Sequence, residues 1–110
     1  MKKIVFLALS SIVSFNVFAS GVVSVPTDSK ASYVVLEKSR NGDMVTITTK
    51  REGPSGTSYS KRLYNCKAWT VKYLGNGDTL EQMNSSAPDP HMAPIVDKSI
   101  AYYIGQQGCR

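Results

Sequence analysis

Cys66 and Cys109 are the only thiols and His91 the only imidazole in a chain of 110 residues. Neither a four-cysteine nor a multi-histidine zinc site can be built from that set. A cysteine nucleophile needs a positioned base. The one candidate, His91, lies in the proline-rich stretch Pro88-Asp89-Pro90-His91-Met92-Ala93-Pro94 and reads as a surface residue. In a small exported domain two cysteines most often pair, so a Cys66–Cys109 disulfide is expected. Closing that loop is worth on the order of 4 kcal/mol in the chain-entropy account. Gly75-Asn76-Gly77-Asp78 resembles a fragment of a calcium or phosphate loop, but lacks the further EF-hand ligands and the P-loop lysine. It reads as a turn. No spacing among the eight acidic residues singles out a pair for glycoside chemistry. No catalytic residue, metal site or cofactor is expected, and the chain reads as a protein other than an enzyme.

A binding surface is the better candidate. Lys50, Arg51, Lys61, Arg62, Lys67 and Lys72 fall on neighbouring segments and interleave with Tyr59, Tyr64, Trp69 and Tyr73. Aromatic residues and arginine are favoured at interface hot spots. Lys61, Arg62, Lys67, Lys72, Tyr59, Tyr64, Trp69 and Tyr73 form the candidate patch. The competing reading is the wet face of an antiparallel sheet, with lysines discouraging edge-to-edge association.

The first nineteen residues read as an address. Met1-Lys2-Lys3 is a short positive n-region, Ile4 to Phe18 an apolar run, and Val17-Phe18-Ala19 a signal-peptidase site with cleavage after Ala19. Ser10, Ser11, Ser14 and Asn16 dilute the run, which is shorter than a membrane span. No cysteine stands at the cleavage point to take a lipid, so no membrane anchor is expected after cleavage. The expected location is periplasmic or secreted. Lys2 and Lys3 leave with the signal and reduce the formal charge of +5. The remaining excess is spread along the chain, unlike the concentrated stripe of a nucleic-acid binder.

Residues 20–32 read as an exposed lead-in, with Val22, Val23 and Val25 able to form a short edge strand. Residues 33–110 read as one α+β domain. Tyr33 to Glu37 and Met44 to Lys50 are β-favouring and flank Asn41-Gly42, a tight-turn dipeptide. Gly53-Pro54-Ser55-Gly56 is a second turn. Strands over Thr57 to Cys66 and Ala68 to Leu74 follow, the latter alternating Trp69, Val71 and Tyr73 with Thr70 and Lys72. The short connections imply an antiparallel meander of four or five strands. Thr79 and Gln82 fit a capping box for a short helix to about Ser86. Pro88, Pro90 and Pro94 then forbid regular structure across Ala87 to Pro94. Val96, Ile100, Tyr103 and Ile104 recur at helical spacing, with Asp97 or Ser99 as cap and Gly108 at the helix end. A last strand over Ile100 to Ile104 is the alternative. The disulfide would press this C-terminal helix onto one face of the sheet.

One further pattern is informative. Ser60-Lys61-Arg62-Leu63-Tyr64-Asn65-Cys66 is a strand ending in cysteine, and the chain closes through Pro94, Ser99-Ile100-Ala101 and Cys109. Over roughly Tyr33 to Cys109 this resembles the small exported proteobacterial proteins grouped with surface-adhesin protein E. The resemblance implies a sheet, a C-terminal helix and a disulfide. It also implies a surface protein that binds host matrix or serum proteins. The chain departs from that pattern in lacking a lipobox cysteine, and in having Met92 where a tryptophan commonly precedes the closing segment; Trp69 is its only tryptophan. The functional expectation is an exported, non-enzymatic binding module of the bacterial cell envelope, with a host extracellular or periplasmic protein as partner. A periplasmic inhibitor or immunity protein against a cognate enzyme is the first alternative. A small envelope hydrolase using His91 or Asp89 is the second.

Overall fold

The structure is a computed structural model that describes residues 21–110. The signal segment and its cleavage site lie outside the described residues. Six antiparallel strands form one sheet in sequence order: β1 (Val22–Val23), β2 (Ser32–Asn41), β3 (Met44–Gly53), β4 (Gly56–Asn65), β5 (Thr70–Gly77) and β6 (Ala93–Pro94). Two helices, α1 (Leu80–Ser85) and α2 (Ile100–Gly108), complete the α+β fold. The sequence-based count of four or five strands falls short because β6, two residues long in a proline-rich stretch, has no periodic signal; β1 is the short edge strand expected at Val22 and Val23.

Local chemistry sets the turns. Asn41 pairs with Met44 around a two-residue loop, and Gly42 supplies its positive φ of 62°. Gly53 pairs with Gly56 around Pro54-Ser55. Thr79 caps α1 by accepting from the Gln82 amide at 3.0 Å, while the Gln82 side chain accepts from the Asp78 amide at 2.8 Å. Ser99 caps α2 by accepting from the Tyr102 amide at 3.1 Å, so Ile100 to Ile104 is helix rather than strand. Gly108 is still helical and lies against the core: a Cβ there would stand 3.3 Å from Ile47 Cδ1.

The segment expected to be an exposed lead-in is partly core. Val22–Val23 pairs with Tyr33 and Val34, and Val23 and Val25 are buried. A 3-10 turn over Pro26–Asp28 then brings Asp28 to Arg51 and Tyr33. The physical cause is apolar: burial of Val23 and Val25 outweighs the polar residues around them, while Val22 stays exposed. The proline-rich stretch also contains a strand, because Pro94 sits on the sheet edge where its missing N–H costs no ladder bond. Between α1 and β6 the chain runs along the β5 edge. Asp89 exchanges hydrogen bonds with the Tyr73 backbone, its amide donating at 2.9 Å and its carboxylate accepting at 3.2 Å. Ser86 Oγ accepts from the Asn76 amide at 3.3 Å.

The core lies on one face of the sheet. Tyr33, Val35, Val45, Ile47 and Tyr64 meet Ile104 of α2, with Val23 and Val25 closing the end. Cys66 and Cys109 form the expected disulfide, with a Cα–Cα distance of 5.7 Å, joining the residue after β4 to the C-cap of α2. Among the described residues no helix is long and apolar enough to cross a membrane.

Candidate functional site

Strand register decides which candidate residues can act together. Successive side chains on a strand point to opposite faces. On β4, Arg62 lies opposite Ile47 and Tyr64 opposite Val45, so both face the core side. Tyr59 lies opposite Lys50, Lys61 opposite Thr48, and Leu63 opposite Thr46 and Lys72, so these share the other side. The expected patch therefore splits. Tyr59, Lys61 and Lys72 share the outer face, joined by Lys50 and Leu63. Arg62, Tyr64, Tyr73 and Trp69 belong to the face that carries α2, and Lys67 is exposed in the turn between β4 and β5.

Trp69 is not a strand residue. It sits in that turn at a φ of 59°, its amide donating to Asn65 O at 2.8 Å. Its ring meets Tyr102 edge-on at 6.2 Å, and a Cβ on Gly105 would stand 3.2 Å from it. Tyr64 is fully buried, and its hydroxyl donates to Ala101 O of α2 at 2.6 Å. Burial pushes the Tyr64 hydroxyl pKa up, against the pull of the nearby Arg62 charge. Both aromatics anchor α2; Tyr64 is unavailable to a partner, whereas Trp69 is half-buried.

Arg62 is the unusual residue. It is 3% exposed, yet among the described residues no carboxylate forms an ion pair with it. Its Nη1 donates to Thr49 Oγ1 at 3.2 Å and its Nη2 to Tyr73 Oη at 3.1 Å. The guanidinium carbon lies 4.8 Å from the Tyr73 ring centre, within cation–π range. Its Nε is buried and has no partner.

A cleft of about 350 Å³ is lined by Ser58, Ser60, Tyr73, Asn76, Gly77 and Asp78, and Tyr73 stands between it and Arg62. A bulge creates this cleft. The β4–β5 register shifts between Lys61 and Arg62, so Arg62 pairs with Tyr73 while Lys61 pairs with Gly75. Leu74 is the extra residue, and Tyr73 and Asn76, three apart, come to share the face that carries α2. Gly75 and Gly77 then face the outer side under α1. A Cβ on Gly75 would collide with Met83 O, and one on Gly77 would stand 2.6 Å from Gln82 Cβ. Gly75-Asn76-Gly77 is thus strand rather than turn, and its glycines admit α1.

On the outer face, Lys50 and Glu52 form an ion pair at 3.8 Å. Lys50, Lys61 and Lys72 stand on the successive strands β3, β4 and β5, with Tyr59 beside Lys50 and Leu63 beside Lys72. His91 is exposed. Among the described residues no group of three or more His, Cys, Asp or Glu side chains could hold a metal ion.

Sequence reasoning placed Lys61 and Arg62 in one patch, although adjacent strand residues must diverge. Period-two alternation was the signal that could have separated them. The bulge had no such signal. No family model, curated protein or solved structure matches the chain.

Proposed function

We propose that the chain is an exported, non-enzymatic binding module of the bacterial cell envelope, adhesin-like in mode, which engages an acidic protein partner through the outer face of its sheet. The observation that carries this reading is the row of Lys50, Lys61 and Lys72 across three adjacent strands, with Tyr59 and Leu63 between them. Lys50 is paired with Glu52, so the steering and selection of an acidic partner fall on Lys61 and Lys72, which form no ion pair among the described residues. An aromatic and an aliphatic side chain beside them provide apolar contact. The disulfide supports an oxidising compartment. The resemblance to surface-adhesin protein E supports the same direction. Asp89, a candidate acid for a hydrolase, is engaged in holding the β5 edge.

The test is crosslinking in the native cell and on host extracellular proteins, followed by identification of the captured proteins. The variant carries Lys50→Glu, Lys61→Glu and Lys72→Glu. It should lose the captured partner while keeping its circular dichroism spectrum and melting temperature. Arg62 is left unchanged, because its burial would confound folding with binding. Undiminished capture by the folded triple variant would remove the outer face from consideration. Capture of one cognate enzyme, inhibited on binding, would replace the adhesin-like reading with an inhibitor.

A further inference from the structure

The buried guanidinium and the cleft beyond Tyr73 call for one explanation. A buried charge is normally paired, because leaving water costs several kcal/mol per ion even after relaxation. Arg62 has only neutral oxygens and an aromatic ring for company, and its Nε bonds to nothing. Ser60 and Ser58, two and four residues before it on β4, point to the same face and line the cleft. Tyr73 belongs to both: its hydroxyl accepts from Arg62 and its side chain forms a cleft wall. Tyr73 is 37% exposed, and exposed side chains change rotamer within nanoseconds.

We propose that this cleft is a binding site for a single carboxylate group, received by the Arg62 guanidinium when the Tyr73 ring swings aside. A planar carboxylate matches the guanidinium fork and would accept from Nε and an Nη together. The hydroxyls of Ser58 and Ser60 and the amide of Asn76 offer further donors along the cleft. Asp78 at the same cleft sets the charge limit. Its negative charge opposes a phosphate dianion more strongly than a carboxylate monoanion. The site lies on the opposite face of the sheet from Lys50, Lys61 and Lys72, so it stands independently of the outer-face reading.

The measurement is a nuclear magnetic resonance titration of the full chain, following the Arg62 Nε–Hε signal. The probes are acetate, a Gly-Glu-Gly tripeptide blocked at both ends, and inorganic phosphate. Acetate should move the Arg62 signal saturably, while those of exposed Arg40 and Arg110 follow only the general salt response. The site is supported if either carboxylate probe saturates. The blocked tripeptide binding more tightly points to an acidic side chain of a protein, and acetate binding more tightly points to a free small acid. Loss of one charge-assisted hydrogen bond predicts affinity about 10-fold weaker in Arg62→Lys, read in both proteins from the side-chain amide signal of Asn76 in the cleft lining. Ser60→Leu, which fills the cleft and leaves Arg62 in place, should abolish the shift if Arg62→Lys does not fold. No saturable shift with either carboxylate would overturn the site. Saturation by phosphate in preference to both would overturn the carboxylate assignment.

Discussion

Replacing both cysteines with serine should cost the domain much of its stability without changing its fold. The bridged residues are 43 apart in sequence, which gives about 4 kcal/mol from the lost constraint on the unfolded chain. A domain of about ninety residues has roughly 5–13 kcal/mol in total. At about 4–8 °C per kcal/mol, the melting temperature should fall by some 15–30 °C. The native state should survive, because α2 has other ties. Tyr64 donates to Ala101 O at 2.6 Å, Arg40 Nη1 donates to Cys109 O at 3.3 Å, and Gly108 lies against Val45 and Ile47. The assay is urea unfolding of Cys66→Ser/Cys109→Ser beside the oxidised protein, followed by circular dichroism and by Trp69 fluorescence. The freed unfolded chain exposes more surface, so the slope of free energy against urea should rise. A loss below about 1 kcal/mol with an unchanged slope would refute the entropic argument. Loss of the Trp69 signal before the β signal would show instead that the bridge holds α2 in place in the native state.

Gly105→Ala should destabilise, although alanine normally improves a helix interior by about 1 kcal/mol. The new Cβ would stand 2.6 Å from Tyr64 Cε2, on a ring with no exposure and no room to yield. Overpacking of this kind costs about 1–3 kcal/mol, so a melting temperature at or above wild type would contradict the packing described. Asp28→Asn should flatten the acid limb of the stability curve. Hydrogen bonds from Arg51, then from Tyr33, hold the Asp28 carboxyl below its ordinary 3.8. A depressed folded value gives stability that is full above the ordinary carboxylate value and lost as pH falls through the folded one. Urea midpoints measured from neutral pH downward should therefore converge for wild type and variant at acid pH. Parallel curves would show that Asp28 does not titrate with folding.

The legible parts of the fold were those with local chemistry. Asn41-Gly42, the Thr79 cap and the helical spacing of Ile100, Tyr103 and Ile104 each act within a few residues and appear in the structure; of the two cap candidates Ser99 takes the role, and Val96, counted in the same spacing, lies outside α2 and is exposed. The disulfide followed from compartment and parity. What escaped depends on distant partners. β6 exists because β5 offers it an edge, and Val23 and Val25 are core because β2 and α2 stand above them. The same holds for the site. Alternation along β4 assigns Lys61 and Arg62 to opposite faces from sequence alone. That Tyr73 and Asn76 share one face depends on the bulge at Lys61–Arg62, which shows only once β4 and β5 are paired.

The position of the Arg62 cleft follows from a mismatch of lengths. Strands β2, β3 and β4 have ten residues each, about 33 Å of extended chain. Helix α2 has nine, about 14 Å of rise. One such helix covers less than half of the face it packs on, and the disulfide fixes it at the Cys66 end. At the far end of β2 and β3 the 3-10 turn fills in, where Asp28 receives Arg51 Nε at 2.8 Å and the Tyr33 hydroxyl at 2.6 Å. That arginine thus has its carboxylate. On β4 and β5 none of the described elements reaches across, and the face there consists of Ser58, Ser60, Arg62, Tyr73 and Asn76. Two arginines therefore lie on one face beyond the reach of α2, one paired by the chain itself and one left with neutral neighbours. An apolar residue at 62 would have extended the core at little or no cost, since replacing a buried charge by a well-packed hydrophobe is often neutral or stabilising. Arg62→Met tests that directly. A melting temperature equal to or above wild type would show that the fold does not need the guanidinium, leaving ligand binding as its role. A loss of about 3 kcal/mol or more, the scale seen when a buried polar arrangement is broken, would place Arg62 in the scaffold instead.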